Sequence, residues 1–90
     1  MKIEIVAKNY NVTQELKDVL QKKIARLDKY FEEDAKCKIY LKKEKKEAKM
    51  EISLEYHGAL IRAEGRGENF YDEIDVVLPK VERQICHFAS

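Results

Sequence analysis

The chain has 90 residues, enough for one small domain and too few for two, so we expect residues 1–90 to form a single domain. Its formal net charge is +1 at pH 7 although 39% of its residues are charged, so total charge favours no class of partner. The two cysteines, Cys37 and Cys86, have no metal-ligand spacing to another Cys or His, so we expect a reduced protein without a metal or cofactor. No segment approaches the ~20 apolar residues of a membrane span, so we expect a cytoplasmic protein without a membrane segment.

The first third of the chain predicts a strand followed by a helix. Ile3, Ile5 and Ala7 alternate with other residues, as in a short strand. Thr13 is a candidate N-cap, and the apolar residues after it recur with helical spacing. These residues are Leu16, Leu20, Ile24, Leu27 and Phe31. We expect this helix to fade near the segment FEEDA.

The middle third predicts an antiparallel hairpin and a fourth strand. Two alternating segments, one with lysines and one with glutamates on its outer face, predict a hairpin whose lysines and glutamates pair across the strands. The tip, KKEKKEAK, carries mixed charges typical of a solvated turn, with occasional contact with a polyanion as the alternative. Gly58 then predicts a turn into the strand LIRAEG, with Ile61 and Ala63 facing inward.

The last third predicts one bent helix from about Asn69 to about Phe88, with Asn69 as its cap. Its apolar stripe keeps the same phase on both sides of Pro79, and Pro79 falls roughly opposite the stripe, on the solvent side. The whole order is β-α-β-β-β-α, an α+β fold. A four-stranded sheet with two helices packed on one face would bury all of these apolar stripes together.

Both predicted helices carry basic residues along one flank. On a helical wheel the first helix groups Lys22, Lys23, Arg26 and Lys29, and the second groups Lys80, Arg83 and His87. If the helices lie side by side, the two flanks could meet as a basic groove. Lysines cover many helix surfaces, so two such clusters also arise by chance.

The chain resembles, over nearly its whole length, the ribosome hibernation promoting factor and ribosome-associated inhibitor A (protein Y) family. The matching segments are IVAKNYNVTQEL, KKIARLDKYF, LIRAEG and FYDEID…KVERQI, in this order. The resemblance implies a fold similar to double-stranded RNA-binding domains. It also implies binding to ribosomal RNA in the decoding channel of the small ribosomal subunit, where the bound protein blocks messenger RNA and transfer RNA and so inhibits translation.

Family members use basic helix residues to hold ribosomal RNA. By position, the resemblance assigns this role to Lys23, Arg26 and Lys29 on the first helix and to Lys80 and Arg83 on the second. The helical wheel adds Lys22, and His87 is a weaker, pH-dependent substitute for a lysine.

The sequence departs from the family pattern at three places. Pro79 stands where a helix-compatible, usually polar residue is common, and CHFAS stands where the family has a lysine-rich end. The second domain of longer members is absent, so the chain resembles a short form or an N-terminal domain.

Two other classes of function remain open at this point. For an enzyme, Asp72, Glu73 and Asp75 supply carboxylates, but their helical spacing is more typical of a solvated surface than of a converging pair, and we expect no catalytic residue. A protein-interaction module using the open face of the sheet, near Tyr40, is the main alternative.

Overall fold

The computed structural model describes the backbone of residues 1–89 and the side chains of residues 1–87. The elements are β1 (Lys2–Lys8), α1 (Gln14–Ile24), a 3₁₀ helix (Ala25–Tyr30), β2 (Lys36–Glu44), β3 (Glu47–Tyr56), β4 (Ala59–Gly67) and α2 (Phe70–Ala89). The strands lie in the order β1-β2-β3-β4. The β1–β2 pair is parallel, and the other two pairs are antiparallel. The predicted β-α-β-β-β-α fold is confirmed.

The core lies between one face of the sheet and the two helices. The strand register stacks inward residues in rows, so that Ile39 lies opposite Ile52, and Ile52 lies opposite Ala63. All three are buried, together with Leu20 of α1 and Ile74 of α2. Full burial of one aliphatic side chain stabilises a fold by about 1.5–3 kcal/mol, so this shared core fixes both helices on the same face.

Both helix starts are capped as predicted. The Thr13 hydroxyl accepts a hydrogen bond from the Leu16 N–H at 3.1 Å, and the Asn69 side-chain oxygen accepts one from the Asp72 N–H at 2.9 Å. Such caps contribute about 1 kcal/mol each. The apolar stripe of α1 continues into the 3₁₀ helix, where Leu27 is buried, and the helical segment ends at Phe31, which is extended.

The predicted ion pairing within the β2–β3 hairpin is wrong for Lys38 and Lys42. The hairpin register places Lys38 opposite Ser53, and Lys42 opposite Lys49. The glutamates of β3 find partners on β4 instead, as in the Glu51–Arg62 pair at 2.6 Å. Charge alternation predicts the outer face of each strand, but the length of the turn sets which residues face each other.

Helix α2 is one continuous helix across Pro79, as predicted. Val77 and Val81, on either side of the proline, are fully buried, whereas Pro79 itself is exposed. Leu78 is also buried, which widens the predicted stripe. The predicted inward position of the Phe88 side chain lies outside the described residues.

The N-terminal half of α2 approaches β4 closely. A Cβ atom at Gly65 would lie 2.5 Å from Glu73 Oε2 and 2.9 Å from Val77 Cγ2, and one at Gly67 would also meet the Glu73 carboxylate. Glu73 is only 6% exposed, and its Oε2 has no hydrogen-bond partner among the described residues. The two glycines therefore leave the space in which α2 rests against β4.

Replacing Pro79 with alanine should stabilise the protein by about 1–3 kcal/mol. Proline lacks the N–H that would bond to the Asp75 carbonyl, and it costs about 3 kcal/mol relative to alanine inside a helix. Urea unfolding followed by circular dichroism measures the change. Val76→Ala, at another exposed position of the same helix, is the control, for which we expect a change below about 0.5 kcal/mol. A Pro79→Ala protein less stable than the parent would contradict this account.

Candidate nucleic-acid interface

Two basic residues, Lys23 of α1 and Arg26 of the 3₁₀ helix, lie on the flank that faces α2. Lys23 donates a hydrogen bond to Asp75 Oδ1, forming an ion pair. Arg26 Nη2 donates to Glu82 Oε1 at 2.7 Å. Two carboxylates of α2 therefore lie along the boundary between the helices, and we call these four residues the interhelical ion pairs.

Lys80, the first basic residue of α2, lies on the other flank of that helix, beside β4. Lys80 Nζ donates a hydrogen bond to the Glu64 carbonyl at 2.9 Å, and one turn later Gln84 Nε2 donates to the Arg62 carbonyl at 2.6 Å. The helical wheel places Arg83 between this flank and the outermost line of the helix. Since α2 turns Asp75 and Glu82 towards α1, the expected groove, in which two basic flanks meet, is wrong.

The helices instead present two basic strips separated by carboxylates. The strips lie on either side of α2, so the diameter of that helix with its side chains, about 10–12 Å, sets their separation. Within the described side chains, Lys22 and Arg83 are exposed and have no ion pair, and exposed Lys29 lies over the Tyr30 ring with Nζ 5.2 Å from its centroid. His87 is exposed on the last turn of α2. All seven predicted side chains belong to the helical layer, but the structure does not bring them into one cluster.

Sequence reasoning missed the interhelical ion pairs. The signal was present, because Asp75 and Glu82 are seven residues apart and so lie on one flank of α2. The wheel separates that flank from the basic one, but it does not say which flank meets α1. Exposed cations of this kind are able to contact phosphates, and the carboxylates between them oppose such a contact.

The three carboxylates considered for acid–base chemistry do not converge. Asp72 accepts the Asn69 amide at 2.9 Å, Glu73 is buried against β4, and Asp75 pairs with Lys23. Within the described residues, no group of three or more His, Cys, Asp or Glu side chains is arranged to hold a metal ion.

The two cysteines differ in reactivity. Cys37 lies in the core on β2, and burial raises the pKa of its thiol to about 11, so the thiol stays protonated at neutral pH. Cys86 is exposed on α2. A buried, protonated thiol is a poor nucleophile, which makes Cys37 a structural residue.

The fold and the charged helical layer define a class of small α+β domains with a mixed four-stranded sheet, one covered face and one open face. The chain belongs to the Sigma 54 modulation protein / S30EA ribosomal protein family, whose model matches residues 3–90. The resemblance inferred from the sequence is thereby confirmed.

Characterised relatives cover most of the chain. The ribosome hibernation promoting factor of Pseudomonas putida is 31% identical over 85 residues, which are 94% of this chain and 83% of that protein. The ribosome hibernation promotion factor of Bacillus subtilis is 36% identical over 88 residues, but the match spans 47% of its length. This chain therefore spans about half of the longer relatives.

Solved structures share the architecture. The N-terminal domain of Thermus thermophilus Protein Y matches with a TM-score of 0.87 and 31% identity, covering 98% of this chain and 99% of that one. A ribosomal subunit interface protein from Coxiella burnetii matches with a TM-score of 0.88 at 17% identity, which supports the fold alone. Within residues 1–89, no helix is long and apolar enough to cross a membrane.

At pH 8, a thiol reagent should modify about one cysteine per native molecule, at Cys86. Cys37 should react only after unfolding, because its thiol is buried and its pKa is about 11. Mass spectrometry of the labelled protein, with and without urea, locates the label. Cys86→Ser should remove the native label, and rapid native labelling of that variant would contradict the burial of Cys37.

Proposed function

We propose that this chain binds ribosomal RNA in the decoding channel of the small ribosomal subunit and inhibits translation by blocking messenger RNA and transfer RNA. Family membership and the hibernation factors among its relatives support the proposal. The observation that carries it is the set of exposed, unpaired cations on both helices, represented by Lys22 and Arg83. Such a protein works in the cytoplasm and needs neither a cofactor nor chemistry.

The proposed contacts are mainly with RNA phosphates. Folded RNA is recognised largely by shape and by contacts to its backbone, and each neutralised phosphate releases counterions, so affinity falls steeply with salt. The helical layer carries seven permanent cations and seven carboxylates, so its net charge favours no partner. Six of the cations belong to the two basic strips, and these are Lys22, Lys23, Arg26, Lys29, Lys80 and Arg83. It is their grouping into strips that favours a polyanion.

The interhelical ion pairs restrain part of this charge. Arg26 is 59% exposed and Asp75 is 58% exposed, so water screens both pairs and each stabilises the fold by at most about 1 kcal/mol. An RNA phosphate can therefore take the place of Asp75 or Glu82 at little cost. The carboxylates then oppose RNA directly, which lowers affinity.

A protein-interaction module using the open face of the sheet is the second candidate. Leu60, on β4, is 65% exposed and lies beside Tyr40, Ser53 and Arg62 in a shallow depression. Binding of a protein partner there would depend on apolar contact and only weakly on salt.

Reversing two charges, with Arg26→Glu and Lys80→Glu together, should lower the affinity for purified small subunits at least tenfold at 150 mM salt. The variant loses one cation from each strip and places two carboxylates against RNA. Sedimentation with small subunits across a range of salt concentrations measures the loss. Lys36→Glu with Lys38→Glu, on the open face, is the control with the same charge change. Unchanged binding by the helix variant would overturn the proposal.

Neutralising the opposing carboxylates, with Asp75→Asn and Glu82→Gln together, should raise affinity for small subunits about fivefold or more. Lys23 and Arg26 are then available to phosphates, and two negative charges leave the interface. Glu32→Gln with Glu33→Gln, at exposed positions beyond the 3₁₀ helix, gives the same charge change as a control. Weaker binding than the parent would show that the carboxylates orient the cations instead of competing with RNA.

A further inference from the structure

The open face of the sheet carries a line of four cations that crosses every strand. Lys8 lies opposite Lys42, Lys42 opposite Lys49, and Lys49 opposite Arg66. Their neighbours Leu41 and Met50 point into the core, so these four side chains belong to the uncovered face. We call them the cation row.

The cation row breaks a rule of sheet stability. Like charges directly opposite each other on neighbouring strands destabilise a sheet by several tenths of a kcal/mol per pair, and the row contains three such pairs. Strands lie about 4.8 Å apart, so the row places four cations along roughly 14 Å. A local arrangement that costs stability without a structural gain is typical of a functional surface.

Neighbouring carboxylates neutralise part of the positive charge of the cation row. Lys42 pairs with Glu44 at 2.8 Å, Lys49 with Glu64 at 3.6 Å and Arg66 with Glu47 at 3.9 Å. Each of these three carboxylates is about half exposed or more, so the pairs are weak in water and exchange readily with another anion. The hydrogen bond to Glu44 raises the pKa of Lys42, which keeps that side chain charged.

The hairpin tip extends the positive surface. Lys43, Lys45 and Lys46 line an open concavity of about 880 Å³ together with Arg66, Glu44 and Glu47. Lys43 lies opposite the buried Ala48 and so belongs to the face that carries the helices. Apart from Lys43, the row and the tip hold six cations against four carboxylates, those of Glu44, Glu47, Glu64 and Glu68. The neighbouring row on the same face has no cation, since it consists of Val6, Tyr40, Glu51 and Glu64. The other end of the open face also carries four cations, Lys2, Lys36, Lys38 and Arg62, but only Lys2 and Lys36 lie opposite each other there, so the unbroken line of cations is particular to the cation row.

We propose that the cation row and the hairpin tip bind the sugar–phosphate backbone of RNA, as a second contact on the face opposite the helices. The inference rests on the proposed function, which supplies the RNA of the small subunit. Lysine ammonium groups act as point charges for phosphates. The row has no apolar centre of the kind that protein interfaces bury, and this favours a nucleic-acid backbone over an acidic protein. The domain is then held by RNA on two sides.

The test compares two quadruple variants of the open face with the same loss of four charges. The row variant carries Lys8→Gln, Lys42→Gln, Lys49→Gln and Arg66→Gln, and the control carries Lys2→Gln, Lys36→Gln, Lys38→Gln and Arg62→Gln. We expect the row variant to bind purified small subunits at least tenfold more weakly at 150 mM salt. Its slope of log affinity against log salt should also be shallower by about 3, because each of the four lost phosphate contacts contributes about 0.7–0.9 to the slope. The control should stay within about twofold of the parent.

If both variants lose the same affinity for small subunits, the effect comes from net charge alone and the inference is overturned. Unchanged binding of the row variant would also overturn it. The Arg26→Glu, Lys80→Glu protein separates this inference from the proposed function. If that protein loses binding and the row variant does not, only the second contact is wrong; if neither loses binding, both proposals fail.

Two further measurements separate a binding role from a structural one. Removing the repulsion within the row should leave the melting temperature of the row variant unchanged or higher, whereas a lower melting temperature with normal subunit binding would make the row structural. Hydroxyl-radical cleavage from an iron chelate on native Cys86 reports RNA near the helices. The same chelate on a Val6→Cys, Cys86→Ser protein reports RNA near the row. Different cuts from the two positions support contact on both faces, and no cuts from position 6 would overturn it.

Discussion

The rotation of α2 about its own axis governs the arrangement of charge on this domain. Gly65 and Gly67 leave room on β4 for Glu73 and Val77, and Lys80 continues the same contact one turn further on by bonding to the β4 backbone. With that flank directed to β4, the opposite flank must face α1. Asp75 and Glu82 consequently meet Lys23 and Arg26, and the helices are joined by pairs of opposite charge.

Most of the fold follows from local patterns in the sequence. Period-two alternation identifies the strands, period-3.6 spacing identifies the helices, and Thr13 and Asn69 mark the helix starts because their side chains accept backbone hydrogen bonds. Pro79 does not interrupt α2, because the apolar stripe keeps the same helical phase on both sides of it and the proline itself is exposed to solvent. These properties depend on residues that are close in sequence.

The errors concern relations between elements. The wheel finds both flanks of α2, but the choice between them depends on two glycines in β4 that carry no side-chain signal. In the same way, alternation finds the outer residues of β2 and β3, but the pairing of Lys42 with Lys49 depends on where the turn begins. The candidate residues on the helices are therefore predictable from sequence and family, whereas their grouping requires the tertiary structure.

The contacts between α2 and β4 also affect how the sheet ends. Strand β4 is at one border of the sheet, and its outward carbonyls at Arg62 and Glu64 accept hydrogen bonds from Gln84 and Lys80. A border strand with unoccupied carbonyls is a template on which another chain can add a strand and start aggregation. The helix thus shields this border from edge-to-edge association, which leaves β1 as the side on which the sheet can be extended.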